Sequence, residues 1–361
     1  MLNASRFLIA RRRSGLTKKQ LGERVGVDPR SISGFEAGQY QPSDETFRKL
    51  IAVLGFPQEF FEADDIEVLE QEGVSFRSMT KMTAKQRDAA TAAGSIAYLL
   101  SDWVDEKFDL PAPDLPDYQG ATPEAAALSL RQYWLLGEKP IKNMVHLLES
   151  KGIRVFSLTE DCNEVDAYSV WRGFRPFVFL NTIKSAERRR FDAAHELAHL
   201  VLHRHASPSG LEAEKEAHEF AACFLMPTAS IRASARANPL LAHVLQMKKM
   251  WGVSAAAMTR RLYELKFLTY YHYTRLFVEL SEKGYRRSEP FGMKPECSQI
   301  WQKVFAELRR DGQGLQFLAQ KLLVPTDEIA KLVFGLVTVG LPTNELKISS
   351  PTISGHLRLV K

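Results

Sequence analysis

The chain of 361 residues is poor in cysteine: Cys162, Cys223 and Cys297 are widely spaced and form no CxxC pair. A disulfide framework and a cysteine-built zinc finger are therefore excluded. Long hydrophobic runs are also lacking. The longest apolar stretch near the end, Leu332 to Leu341, has ten residues, whereas a membrane-spanning helix needs about 20. The start of the chain, MLNASRFLIARRR, carries its arginines after a short apolar patch. A signal peptide carries them before a longer one. A cytoplasmic protein with no membrane partner is expected. No strong excess of one charge exists either, since 48 basic residues face 43 acidic ones for a net charge of +5. The 45% hydrophobic and 25% charged content excludes collagen and low-complexity disorder. At roughly 150 residues per domain, the length predicts two or three domains.

What charge excess there is sits near the start. Residues 1–30 hold eight basic side chains (Arg6, Arg11, Arg12, Arg13, Lys18, Lys19, Arg24, Arg30) against Glu23 and Asp28. A solvated helix face and an electrostatic footprint for nucleic acid both fit such a block. The pattern LTKKQLGERVGVDPRSISGFEAG, Leu16 to Gly38, places Leu21, Val25, Val27, Ile32 and Phe35 on a buried side. Thr17 reads as the cap of a first helix through Val25, and Gly26 supplies a turn of positive φ. Asp28 caps a second helix with Pro29 at its first position, where a missing N–H costs nothing. Two short helices about a tight glycine turn make a helix-turn-helix. A helix over Asp44–Leu54 closes the bundle.

Farther along, ADDIEVLEQEG (63–73) reads as an acidic linker. Helical periodicity covers 80–110 and 122–151, with a proline-rich break from Leu110. Ile153–Leu158, Val165–Trp171 and Phe174–Leu180 are β-like, and Gly173 between the last two predicts an antiparallel hairpin. Helical spacing returns after Asn181 and continues over 211–226, 239–250, 254–266 and 270–284. Near the end, LAQKLLVPTDEIAKL (Leu318–Leu332) repeats the apolar spacing of LGERVGVDPRSISGF (Leu21–Phe35) at a constant offset of 297 residues. Leu323 replaces the turn glycine, and Asp327 and Glu328 stand where DNA would be met. This echo reads as a packing module rather than a second DNA reader. The expected architecture is α+β and mostly helical. It comprises a helix-turn-helix bundle at 1–62, the linker at 63–73, a domain of helices with a small antiparallel sheet at 74–290, and a helical module at 291–361.

His195-Glu196-Leu197-Ala198-His199 is an HExxH sequence on a predicted helix. Positions i and i+4 share a face, so both imidazoles reach one ion, and Glu196 beside them can take a proton from water. Composition alone gives about 0.03 chance occurrences of H-[DE]-x-x-H in the chain. A catalytic zinc needs a third protein ligand. In LEAEKEAHEFAACFLMP (Leu211–Pro227), Glu214 falls on the apolar face of Ala217, Phe220, Ala221, Phe224 and Leu225. A carboxylate turned into a core needs a partner, and a zinc ion is one. His218 is placed beside the ligands as a hydrogen-bond partner. Glu216 points to the side, and His203 and His205 read as surface or packing residues.

FDAAHELAHLVLHRH, then EAEKEAHEFAACFLMP, then VSAAAMTRRLYEL (Val253–Leu265) resemble the ImmA/IrrE family of zinc metallopeptidases. Leu16 to Gly38 resembles the XRE/Cro-type helix-turn-helix family. Fused members share an FRS segment, here Phe76-Arg77-Ser78. The resemblance implies zinc held by His195, His199 and Glu214, with Glu196 as catalytic base. His218 departs from the family's ExEANxFA pattern, which has asparagine there. The resemblance further implies cleavage of a regulatory protein, an XRE-type repressor, in a stress, phage or mobile-element circuit. A peptide would add to an exposed strand edge, Phe174–Leu180 being the candidate. His218, Tyr263, Tyr270 and His272 are the candidates for holding an oxyanion. A non-proteolytic regulator, in which the zinc domain is a sensor or partner platform, is the competing class. Glu196 discriminates, because a metal-binding platform has no need of it.

The partner at the other end is a double-stranded DNA operator. Side chains at the start of the second helix of such a motif reach base edges. Arg30, Ser31 and Ser33 are expected there, with Lys18, Lys19, Gln20 and Gln41 touching phosphates. A homodimer on two half-sites is expected. Cleavage in trans is favoured over cleavage of the linker. The linker's eleven residues are tied at both ends, with at most about 3.5 Å of reach each.

Overall fold

The computed structural model describes residues 1–69, 83–158, 165–204 and 210–337. The Phe76-Arg77-Ser78 segment, His205 and Cys162 lie outside the described residues. Five helices open the chain: α1 (Ala4–Arg13), α2 (Lys18–Val25), α3 (Pro29–Glu36), α4 (Asp44–Leu54) and α5 (Gln58–Glu62). The local signals act as read. Thr17 and Gln20 form a reciprocal capping box at α2, Gly26 takes φ +78°, and the Asp28 carboxylate accepts from the Arg30 amide. Phe7, Leu21, Val25, Ile32, Phe35 and Leu50 are buried, while Val27 is half-buried.

The basic block divides in a way neither reading anticipated. Arg6 donates to the Asp64 carbonyl, Arg11 pairs with Glu36, Arg12 lies against Asp88, and Arg13 pairs with Glu328. Arg6, Arg11 and Arg13 are buried. These four cations hold the molecule together, and Lys18, Lys19, Arg24 and Arg30 remain on the surface.

The start of the acidic segment read as a linker is packed. Ile66 and Leu69 are buried, and the Leu69 amide donates to Ser95 Oγ at 2.8 Å. Leu69 lies on α6 (Ala84–Lys107) at Gly94, where a Cβ would fall 2.4 Å from Leu69 Cδ2. The helix expected over 122–151 is two helices, α7 (Pro123–Tyr133) and α8 (Met144–Ser150). Leu135 and Gly137 take positive φ between them, and Pro140 prevents early resumption.

The sheet holds β1 (Arg154–Ser157), β2 (Ala167–Arg172) and β3 (Arg175–Leu180) in the order β1-β3-β2. The β2–β3 hairpin is antiparallel and turns at Gly173, as expected. β1 adds in parallel to β3, so the sheet is mixed. Parallel pairing needs a crossover, and strand order is a long-range property that local periodicity does not carry. Phe156, Phe177, Phe179 and Tyr168 stack through the core.

Helices α9 (Ala186–Leu202) and α10 (Leu211–Leu225) pack on each other, with α9 against β2 and β3 and α10 against α7. Then come α11 (Thr228–Ser234), α12 (Leu241–Trp251), α13 (Ala255–Glu264), α14 (Tyr270–Glu282), α15 (Gln299–Arg310), α16 (Leu315–Leu322) and α17 (Thr326–Val333). The α2–α3 turn recurs twice: Gly252 at φ +63° joins α12 to α13, and Leu323 at φ +58° joins α16 to α17. Valine follows in all three turns, as Val27, Val253 and Val324. Glu149 accepts from the amides of Gln299 and Ile300 at the start of α15, and Trp301 Nε1 donates to the Val155 carbonyl. Among the described residues no helix is long and apolar enough to cross a membrane.

Candidate functional site

Ser185 caps α9 by accepting from the Arg188 amide. The helix is buried on nearly every side, because the sheet covers one flank and α10 another. His195 and His199 project from successive turns with their Nε2 atoms 3.2 Å apart. Glu214 stands in the first turn of α10, where the helix dipole favours a carboxylate. Its two oxygens lie 3.4 Å from His195 Nε2 and 3.4 Å from His199 Nε2. Zinc–ligand bonds of about 2.0–2.1 Å put the corners of a tetrahedron about 3.3–3.4 Å apart. The two imidazole nitrogens are thus spaced as two corners of a zinc tetrahedron, Glu214 brings one oxygen to each of them, and the donor types fit that ion. Among the described residues this is the one group of three or more His, Cys, Asp or Glu side chains close enough to hold a metal.

Charge is balanced tightly here. Burial alone would raise Glu214, but the neighbouring imidazoles of His195 and His199 outweigh it and hold the carboxyl well below the usual range. Burial would lower His195, and the carboxylates of Glu214, Glu196 and Asp192 reverse that and raise it. Burial pushes Asp192 up to about 7 despite Arg188.

Glu196 is 2% exposed, and Ser169 Oγ on β2 donates to its Oε2 at 2.7 Å. Sequence reasoning missed Ser169, whose place over the helix is set by strand order. His203 was also misjudged as a surface or packing residue. It lies four residues beyond His199, on the same helix face, and its Nδ1 sits 3.1 Å from His199 Nδ1. Its Nε2 is 2.8 Å from Glu216 Oε2. Burial lowers the His203 pKa. The i+4 spacing was the available signal. His218, expected to hydrogen-bond a ligand, packs its ring on Phe191 with centroids 4.8 Å apart. Burial, with Arg260 and His195 nearby, takes it down to about 4. Of the other oxyanion candidates, Tyr263 stacks on Tyr273, Tyr270 is exposed, and the His272 ring pairs with Thr269.

The strand edge requires a correction. Phe174–Leu180 supplies β3, which is the central strand and has β1 and β2 on its two sides. Among the described residues the outer side of β2 pairs with no strand, and β2 carries Ser169.

At the other end of the molecule, Arg30 is exposed and has no ion partner among the described residues. Ser31 and Ser33 are half-buried on the same short helix, and Ser33 Oγ donates to the Pro29 carbonyl. Lys18 pairs with Glu36 at 3.1 Å, Lys19 with Glu23 at 3.9 Å, and the Gln20 side-chain Oε1 accepts from the Thr17 backbone N–H. Gln41 has a task that was not foreseen. Its amide clamps Leu2, accepting from the backbone N–H at 2.6 Å and donating to the carbonyl at 3.1 Å.

Comparison with known proteins agrees with both ends. Residues 148–263 match the family model for the IrrE N-terminal-like domain, a peptidase family, and residues 9–58 match the model for the helix-turn-helix. The two matches lie on one polypeptide. No curated protein matches it.

Proposed function

We propose that the chain is a DNA-binding transcriptional regulator whose zinc-dependent endopeptidase domain cleaves another regulatory protein, an XRE-type repressor. The observation that carries this reading is the spacing of His195, His199 and Glu214 with a buried glutamate, Glu196, on the intervening turn. When bound, a zinc ion supplies Lewis-acid polarisation of the scissile carbonyl and lowers the pKa of water. Glu196 accepts the proton of the attacking water on its carboxylate and passes it to the leaving amine. Ser169 orients that carboxylate through its 2.7 Å hydrogen bond. The substrate backbone adds along the outer edge of β2, which places it beside Glu196. Cleavage acts in trans, because the first part of the acidic segment is packed through Ile66 and Leu69 and would have to unfold to become a substrate.

Arg30, Ser31 and Ser33 read base edges of an operator, Lys18, Lys19 and Gln20 touch its phosphates, and two copies engage two half-sites. The test is elemental analysis followed by incubation with candidate repressors, read by intact mass. Wild type should carry about one zinc per chain and cut one of them. Glu196→Gln should keep the zinc and lose the cutting, and His195→Ala or Glu214→Ala should lose both. Wild type without metal overturns the site. Zinc without cleavage of any repressor leaves the chain as the sensor or platform class.

A further inference from the structure

The site contains a second layer that the proposed chemistry does not use. His203 stands between His199 and Glu216, with Nδ1 3.1 Å from His199 Nδ1 and Nε2 2.8 Å from Glu216 Oε2. The His203 side chain is only 9% exposed and that of Glu216 is 39% exposed. We propose that Glu216 and His203 form a positioning relay that locks His199 in the tautomer whose Nε2 offers a lone pair to the ion. The inference rests on His195, His199 and Glu214 being the metal ligands.

The argument is one of donors and acceptors. A carboxylate only accepts hydrogen bonds, so the His203 nitrogen facing Glu216 carries the proton. A neutral His203 then has a bare Nδ1, and the facing His199 Nδ1 must supply the proton between them. His199 is left with no proton on Nε2, the atom that faces His195 and Glu214. The reverse order puts a proton on His199 Nε2, in the middle of the ligand triangle, and sets two acceptors against each other at Glu216. Metal-binding histidines generally have their second nitrogen fixed by such an outer partner. Here the partner of His199 is itself a histidine, and Glu216 on α10 sets its proton. Because α10 also carries Glu214, one helix delivers a ligand and fixes the orientation of another.

The experiment measures zinc affinity by chelator competition, the visible spectrum of the cobalt-substituted protein, and the His199 tautomer by long-range proton–nitrogen NMR of the metal-free protein. His203→Ala should weaken zinc binding by about 10–100-fold and shift the cobalt bands. Glu216→Ala, a change at a partly exposed side chain, keeps the fold and should weaken binding in the same direction by about 3–10-fold. Glu216→Gln can still accept from His203 and should recover most of that loss. The NMR spectrum of wild type should show His199 protonated at Nδ1, and Glu216→Ala should mix the tautomers. Wild-type affinity and an unchanged cobalt spectrum in both alanine variants would overturn the relay while leaving the metal site standing. Failure of wild type itself to bind zinc or cobalt would remove the site on which the relay rests.

Discussion

At a constant offset of 297 residues, α2 and α3 fall end for end on α16 and α17, and α1 falls within α15. The two modules share the left-handed turn residue, Gly26 in one and Leu323 in the other, and a valine after it. They differ in what they leave exposed. The N-terminal module shows solvent the start of α3, with Arg30 exposed and Ser31 half-buried. The C-terminal module has Asp327 and Glu328 at the same positions, and Glu328 is buried on Arg13 and Lys331. Inside, the Arg11–Glu36 ion pair of the first module becomes the buried pair of apolar residues Leu308 and Val333 in the second. Asn3 within the N-terminal bundle caps α1, whereas Glu149 beside the sheet accepts from the first amides of α15. One backbone pattern thus leaves its helix start free and cationic in the first module, the face proposed to read DNA. It serves as a buttress where that start is acidic and pressed on α6 and β1.

The largest effect should come from breaking the contact that separates the two. Glu328→Ala leaves Arg13 buried without its carboxylate, and removing one partner of a buried pair costs roughly 3–5 kcal/mol. Ser31→Ala, at the matching position of the reader, should change stability by less than about 0.5 kcal/mol. Chemical denaturation of the full chain measures both. Equal, small losses would show that the C-terminal module does not lean on the N-terminal one.

The next effect concerns the free face. Arg30→Ala should weaken operator binding by roughly 1–3 kcal/mol and relax specificity at one base position. Asp327→Arg places the same side chain at the matching position of the buttress and should add no DNA affinity, because that helix is held by Glu328 and Arg13. Binding curves on operator and on scrambled DNA at one salt concentration distinguish them. A loss for Arg30→Ala that is equal on both sequences would make Arg30 a phosphate contact. A gain for Asp327→Arg would make the second module a latent reader.

The comparison also marks what was readable in the chain. Caps and turns around α2 and α3 were legible because they act within four residues. His195 and His199 were legible for the same reason, and Glu214 because helical phase turned a carboxylate inward. The fates of Arg6, Arg11 and Arg13 were not legible. Their partners are the Asp64 carbonyl, Glu36 and Glu328, 58, 25 and 315 positions along the chain, and counting charge over residues 1–30 sees none of them. Strand order failed in the same manner, because β1 reaches β3 past β2. Ser169 depended on that order. His203 was the one avoidable miss, since its spacing from His199 equals that of His199 from His195.

The smallest effect tests the shared turn itself. Gly26 adopts φ +78°, and a Cβ built there meets nothing within 4 Å. Gly26→Ala therefore carries only the backbone cost of a left-handed L-residue, roughly 1–2 kcal/mol. The exposed methyl recovers nothing by packing. Leu323 already carries that cost at φ +58°. Its side chain is half-buried against the core, and its amide is held by the carbonyls of Ala319 and Gln320. Leu323→Gly would relieve the strain and lose the packing, two terms of similar size, so its net change should stay under about 1 kcal/mol. Thermal denaturation of the two variants reads the difference. Gly26→Ala should lower the melting temperature more than Leu323→Gly, and should lower operator affinity only as far as it unfolds the reader. The opposite ranking would mean that Leu323 packing, and not a common turn geometry, holds the second module together.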